Sequence, residues 1–136
     1  MPRARTVDPP LTPLELQIMQ VLWETGPATV QTVQTRLEGR ALAYTTVQTM
    51  LNVLHRKGKV GRKLKDRAYL YRPILSRHKA TGNAVSEVLD RFFGGSADSL
   101  VLNLLETRKL TPEKLARLQE MLERRNQEEE SHGNKR

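Results

Sequence analysis

Along residues 44–58, YTTVQTMLNVLHRKG, the apolar positions recur at helical spacing: Val47, Met50, Leu51 and Leu54 stand at i, i+3, i+4 and i+7. That pattern predicts an amphipathic helix closed by the basic turn Arg56-Lys57-Gly58. The β-branched Thr45, Thr46, Val47 and Thr49 oppose it by roughly a few tenths of a kcal/mol each, and a strand is the alternative. The three-and-four periodicity and the Gly stop outweigh them. Upstream, Leu11-Thr12-Pro13-Leu14-Glu15-Leu16 spells a helix start, with Thr12 as N-cap, Pro13 in the first turn, Glu15 completing a capping box and Leu11 stapled to Leu16. Leu14, Ile18, Met19, Val21, Leu22 and the packing residue Trp23 continue this helix to its stop at Thr25-Gly26-Pro27. Ala28-Thr29-Val30 suits a short strand or an N-cap. Val30, Val33 and Leu37 then mark a short second helix ending at Glu38-Gly39-Arg40.

Beyond Gly58 the period becomes two. Val60 with Leu64, and Tyr69 with Tyr71, flank Lys65-Asp66-Arg67, and Pro73 closes the second run, which predicts a β-hairpin despite a turn without Asn-Gly. The two tyrosines are expected to cover the helical core. Helical spacing returns after Ser76. Val85, Val88, Leu89, Phe92 and Phe93 form one stripe before Gly94-Gly95. Leu100, Val101, Leu104 and Leu105 form a second behind a Ser96 cap, and Leu115, Leu118, Met121 and Leu122 a third behind Thr111-Pro112. These helices have no large second core to bury their stripes, so they are expected to close on a second copy through Val88, Phe92, Leu100, Leu104, Leu115, Leu118 and Leu122.

The fold expected is mainly α with a small β-hairpin wing: a winged helix-turn-helix domain over 11–75 and a C-terminal helical dimerisation domain over 76–125. Residues 1–10 read as a mobile arm and 126–136 as a disordered tail.

Charge sharpens this division. Residues 1–75 carry 12 Lys plus Arg against 5 Asp plus Glu, whereas 76–136 carry 11 against 10. Arg56, Lys57, Lys59, Arg62, Lys63, Lys65, Arg67 and Arg72 are opposed locally only by Asp66. Such a field attracts a polyanion, because neutralised phosphates release condensed counterions. The outer face of the 44–58 helix carries Thr45, Gln48, Thr49, Asn52 and Arg56 and no carboxylate. Amide side chains suit an adenine edge, and Thr offers a methyl to thymine. On the helix alone a DNA-reading face and a plain solvated face are equally good readings; the basic hairpin beside it favours DNA. The base-reading residues expected from this face are Thr45, Gln48, Thr49 and Asn52. The phosphate contacts expected are Arg56, Lys57, Arg62, Lys63, Lys65 and Arg67.

No Cys is present, which excludes disulfides and thiolate metal sites and fits a reducing compartment. The opening MPRARTVDPP lacks an apolar signal core and no run approaches a membrane span, so a cytoplasmic protein without membrane insertion is expected. His55, His78 and His132 are scattered, with no HExxH and no Gly-rich phosphate loop, so neither an enzyme nor a metal or other cofactor is indicated. A non-specific architectural or RNA-binding protein using the same basic hairpin is the alternative class.

The segments LTPLELQIMQVLW at 11–23, AYTTVQTMLNVLHRKGKV at 43–60, YLYRP at 69–73 and SLVLNLLE at 99–106 occur in the order seen in the penicillinase-repressor family, the BlaI/MecI/CopY type of bacterial winged-helix repressor, which the chain resembles from Leu11 to Leu122. The resemblance implies a homodimer on a palindromic double-stranded DNA operator with TACA- and TGTA-like half-sites, blocking transcription, with Thr45, Thr46, Gln48, Thr49 and Asn52 as the base-reading positions of its recognition helix. It also implies, for the β-lactam-responsive branch, inactivation by a membrane-anchored sensor metalloprotease that cuts an Asn-Phe bond. The matching pair here is Asn103-Leu104, a departure from that pattern. The copper-responsive branch uses C-terminal cysteine pairs, which this chain lacks. Relief by a small ligand between the helical arms is the alternative to proteolysis.

Overall fold

The computed structural model describes residues 9–37 and 41–133. The expected arm therefore lies almost wholly outside the described residues, as do the Glu38-Gly39-Arg40 stop and the last three residues. The elements are α1 (Pro13–Thr25), α2 (Val30–Arg36), α3 (Tyr44–Arg56), β1 (Val60–Lys65), β2 (Ala68–Pro73), α4 (Arg77–Phe92), α5 (Ala97–Glu106) and α6 (Pro112–Gly133). This is a winged helix-turn-helix followed by three helices.

Each start follows local chemistry. At α1 the Glu15 N–H donates to Thr12 Oγ1 at 3.3 Å and the Thr12 N–H donates to Glu15 Oε1 at 2.9 Å, a closed capping box. Thr29 caps α2 and Ser96 caps α5 in the same way, each accepting an N–H three residues on. Ala28 meets both expectations for its segment: it forms an isolated bridge to Tyr71, with both N–H to O distances 2.8 Å, while Thr29 serves as the cap. Gly58 ends α3 at φ 77°, a conformation that costs a residue with a Cβ roughly 1 kcal/mol or more.

The hairpin pairs Val60 with Pro73, Arg62 with Tyr71 and Leu64 with Tyr69, leaving Asp66 and Arg67 as a two-residue turn. Both turn residues have positive φ, 52° and 69°. Asp tolerates this conformation through its short polar side chain; Arg does not, so the turn carries strain at Arg67.

The chain divides into two units, one reaching Val88 and one starting at Leu89. The first runs past residue 75 because Ala80 packs against the core and Asn83 is buried. Its core is Ile18, Met19, Leu22, Val33, Val47, Leu51, Leu54, Val60 and Tyr71, drawn from all three helices and both strands. Trp23 packs at the edge of this core and its indole N–H donates to the Leu75 carbonyl at 2.9 Å. Tyr71 covers the helices as expected, but Tyr69 does not. It lies nearer the hairpin tip, 42% exposed, and the Arg62 guanidinium stacks over its ring at 4.2 Å.

In the second unit α6 continues to Gly133, so helix replaces the disorder expected from Asn126 onward, as far as residue 133. Gln127 and Glu128 to Glu130 are good helix formers that extend an established helix at little cost, and Arg124 and Arg125 precede Glu128 and Glu129 by four residues.

Candidate nucleic-acid interface

The geometry of α3 follows from what it buries. Val47, Leu51 and Leu54 are fully enclosed, which turns Thr45, Thr46, Gln48 and Thr49 to solvent. Asn52, at helical spacing from Thr45, Gln48 and Thr49, is half-buried. The sequence Tyr44–Arg56 contains no acidic residue. A groove of about 350 Å³ separates α3 from the hairpin and is lined by Thr29, Gln31, Tyr44, Gln48, Arg67 and Tyr69 among others. Thr29, Gln31 and Tyr44 were not among the residues expected at the site. Tyr44, 47% exposed at the first position of α3, is the one that an unpaired aromatic beside the polar stripe could have signalled.

The hairpin sorts its side chains by face. Directly opposed residues of an antiparallel pair share a side, so Val60, Arg62, Leu64, Tyr69 and Tyr71 lie on one face and Lys63, Lys65 and Arg72 on the other. Tyr71 belongs to the core, which fixes the first face inward. Lys63, Lys65 and Arg67 are exposed, and the Arg72 guanidinium lies across Gly61, where an added Cβ would meet it at 2.6 Å.

Two residues expected at phosphates have protein partners. Lys57 Nζ donates to Glu15 Oε2 at 2.8 Å, tying the cap of α3 to the first turn of α1. Glu15 is 3% exposed, and burial alone would raise its pKa. The Lys57 ammonium and the bonds from Thr12 outweigh that and hold the carboxyl below its ordinary value. Arg62, half-buried, donates through Nη1 to Asn52 Oδ1 at 2.9 Å, and the Tyr71 hydroxyl donates to the same oxygen at 3.2 Å. Arg56 is exposed at the end of α3. The structure therefore brings Thr45, Gln48 and Thr49 together on one outer face, with Thr46 exposed at its side, and leaves Arg56, Lys63, Lys65 and Arg67 exposed, while Lys57, Arg62 and Asn52 are engaged within the protein.

Among the described residues, every buried apolar side chain lies between Ile18 and Leu75. The apolar stripes of α4, α5 and α6 are left open: Val88, Phe92, Leu118 and Leu122 are exposed, Phe92 at 72%, and Leu100, Leu104 and Leu115 are half-buried. Asn103 is exposed inside α5, and its carbonyl accepts from the Thr107 N–H at 2.9 Å and the Thr107 hydroxyl at 2.8 Å. No helix of the described residues is long and apolar enough to cross a membrane.

A profile described as the penicillinase repressor matches residues 11–124. The "Penicillinase repressor" of Bacillus licheniformis is 29% identical over 116 residues, covering 85% of this chain and 91% of its own. The "Transcriptional regulator BlaI" of Mycobacterium tuberculosis is 35% identical over 96 residues, 68% of this chain and 70% of its own. Among solved structures, the DNA-binding domain of the repressor BlaI aligns with a TM-score of 0.47 at 26% identity, covering 52% of this chain and 88% of that one. Matched over nearly its whole length, and built as a winged helix-turn-helix with three further helices, the chain belongs to the penicillinase repressor family: it is a DNA-binding transcriptional repressor and not an enzyme.

Proposed function

We propose that the repressor acts as a cytoplasmic homodimer on a palindromic operator, reading bases with α3 and gripping phosphates with the wing. The DNA-contacting elements lie within 11–75 and the dimer-forming helices within 76–125, although the first turns of α4 pack with the DNA-binding unit. The observation that carries this reading is the acid-free outer face of α3, where Thr45, Thr46, Gln48 and Thr49 stand exposed beside a groove whose far wall includes Arg67. Two such faces in one dimer reach successive major grooves about 34 Å apart. Arg56, Lys63, Lys65 and Arg67 supply the phosphate contacts. Dimer formation is supported by the open stripes of α4 to α6, which water would otherwise hydrate.

Competition between a palindromic duplex and random duplex tests this reading, with a preference for the first of at least about a thousandfold expected. An architectural or RNA-binding protein would show none. Gln48→Ala should cost about 1 to 3 kcal/mol on operator and relax preference at one position. Lys63→Ala should weaken binding to every sequence alike and lower the salt slope by about one. Arg67→Gly separates wing binding from wing folding: it should weaken DNA binding while raising stability by about 1 kcal/mol, because it relieves the strained turn. Identical behaviour of the Gln48 and Lys63 variants on operator and random duplex would defeat the division of labour.

Induction by cleavage at Asn103–Leu104 is the reading that the exposed segment of α5 favours over ligand relief. Proteases bind extended chain, and Asn103 is exposed on a helix that buries no residue in the protomer; Leu104 faces the proposed dimer seam, so the cut requires α5 to open locally from it. Incubation of the dimer with membranes from inducer-treated cells should yield a single cut there, read by intact mass. Loss of operator binding with the chain intact would point to a ligand instead.

A further inference from the structure

Asn52 stands on α3 four residues after Gln48 and three after Thr49, on the flank assigned to base reading. A side-chain amide free on such a flank reads adenine with both ends: its oxygen accepts from N6 and its nitrogen donates to N7. Asn52 is not free at both ends. Arg62 Nη1 lies 2.9 Å from Oδ1, and a guanidinium has donors only, so the atom that faces it is the carboxamide oxygen and not the nitrogen. The Tyr71 hydroxyl approaches the same oxygen at 3.2 Å and occupies its second lone pair.

Both donors are themselves anchored. Tyr71 is 1% exposed and its backbone is bridged to Ala28; Arg62 is braced by the Tyr69 ring at 4.2 Å. The oxygen is thus saturated from the wing side, and the remaining capacity of the amide is its two Nδ2 hydrogens.

We propose that Asn52 is a donor-only reader: the operator position it meets presents acceptors, guanine O6 and N7 or thymine O4; adenine is weaker there because only its N7 can accept while its N6 amino group finds no free oxygen, and cytosine is disfavoured because its amino group would face another donor. Arg62 is a positioning residue that sets this polarity and is not a phosphate contact. The inference rests on the operator-binding reading above and adds which base chemistry one residue selects.

Selection of bound duplexes from a randomised library, using the full chain, tests it. With the unaltered protein, one half-site position that is insensitive to Gln48→Ala should favour guanine or thymine over adenine by about tenfold. Asn52→Asp keeps the shape, leaves one oxygen to Arg62 and Tyr71, and replaces the donor by an acceptor. It should shift that same position to adenine or cytosine. Arg62→Leu frees a lone pair on Oδ1 and should raise adenine at that position while leaving the salt slope within about half a unit of its original value, whereas loss of a phosphate contact lowers it by about one. Thermal melts of both variants confirm that folded protein is compared.

Adenine at the Asn52-dependent position of the unaltered protein would overturn the proposal. So would an Asn52→Asp variant that loses affinity for all sequences equally, which would make the residue structural only. In both cases the Gln48-dependent positions still report on operator binding itself. A library returning no preference at any position would remove the operator reading and this inference together.

Discussion

Replacing Leu118 and Leu122 together by Glu should leave a folded monomer whose operator affinity has dropped about a thousandfold, to the level of random duplex. The two leucines lie on one stripe of α6, 49% and 57% exposed in the protomer, and none of the described residues of α5 and α6 is buried. About half of each leucine is already covered in the protomer, so burying the rest in a dimer would contribute about 1 kcal/mol each, and the two copies together about 4 kcal/mol. Glu at the same positions brings like charges from both copies into a closing interface. Operator affinity follows because the second half-site is bound intramolecularly once the first is held; without the partner that advantage is lost. Sedimentation equilibrium reads the mass and a duplex titration reads the affinity. Helix content should be unchanged, since the replaced side chains are exposed in the protomer. A variant that remains dimeric with unaltered operator affinity would place the dimer contact elsewhere.

Lys57→Met should destabilise the fold by about 2 kcal/mol at neutral pH. The cost lies on the carboxylate side of the pair. Glu15 is almost wholly enclosed and loses its cationic partner, whereas the Lys57 side chain is half exposed and loses little. In the intact protein the Glu15 pKa is lower folded than its ordinary 4.5, despite burial that pulls the other way. A carboxyl depressed on folding stabilises above its unfolded value, and the stabilisation drains away as pH falls from about 4.5 through the folded pKa. Denaturant midpoints measured downward from pH 5 should therefore fall more steeply for the intact protein than for Lys57→Met, the two converging in acid. The same variant should bind random duplex better than Lys63→Ala, because Lys57 Nζ is held on Glu15 and not at a phosphate. A Lys57→Met protein with unchanged stability and a lost phosphate contact would reverse this assignment.

Helix α1 and the hairpin show how differently local and distant physics are written in a chain. Thr12, Pro13 and Glu15 announce α1 because a capping box is made within four residues. The same Glu15 then carries a second role, towards Lys57, that no local pattern reveals, since the two are brought together only when α1 and α3 fold onto one core. The hairpin was legible from its period of two, although its turn is made by Asp66 and Arg67 without glycine. Pairing and the burial of Tyr71 impose the positive φ angles against local preference. The tail shows the opposite: the local charge of Glu128 to Glu130 suggests disorder, and the helix already under way in α6 carries through it to residue 133.

Periodicity by itself determined that α3 buries Val47, Leu51 and Leu54 and turns a polar, acid-free flank outward, because helical geometry leaves side chains at that spacing no other arrangement. Composition by itself determined that the wing is basic. Tertiary structure alone decided which of those cations and amides keep their full bonding capacity: Lys57 spends its charge on Glu15, and Asn52 spends its oxygen on Arg62 and Tyr71. A hydrogen bond depends on distance and angle in space, and residues 10, 19 or 42 positions apart acquire those only through the fold.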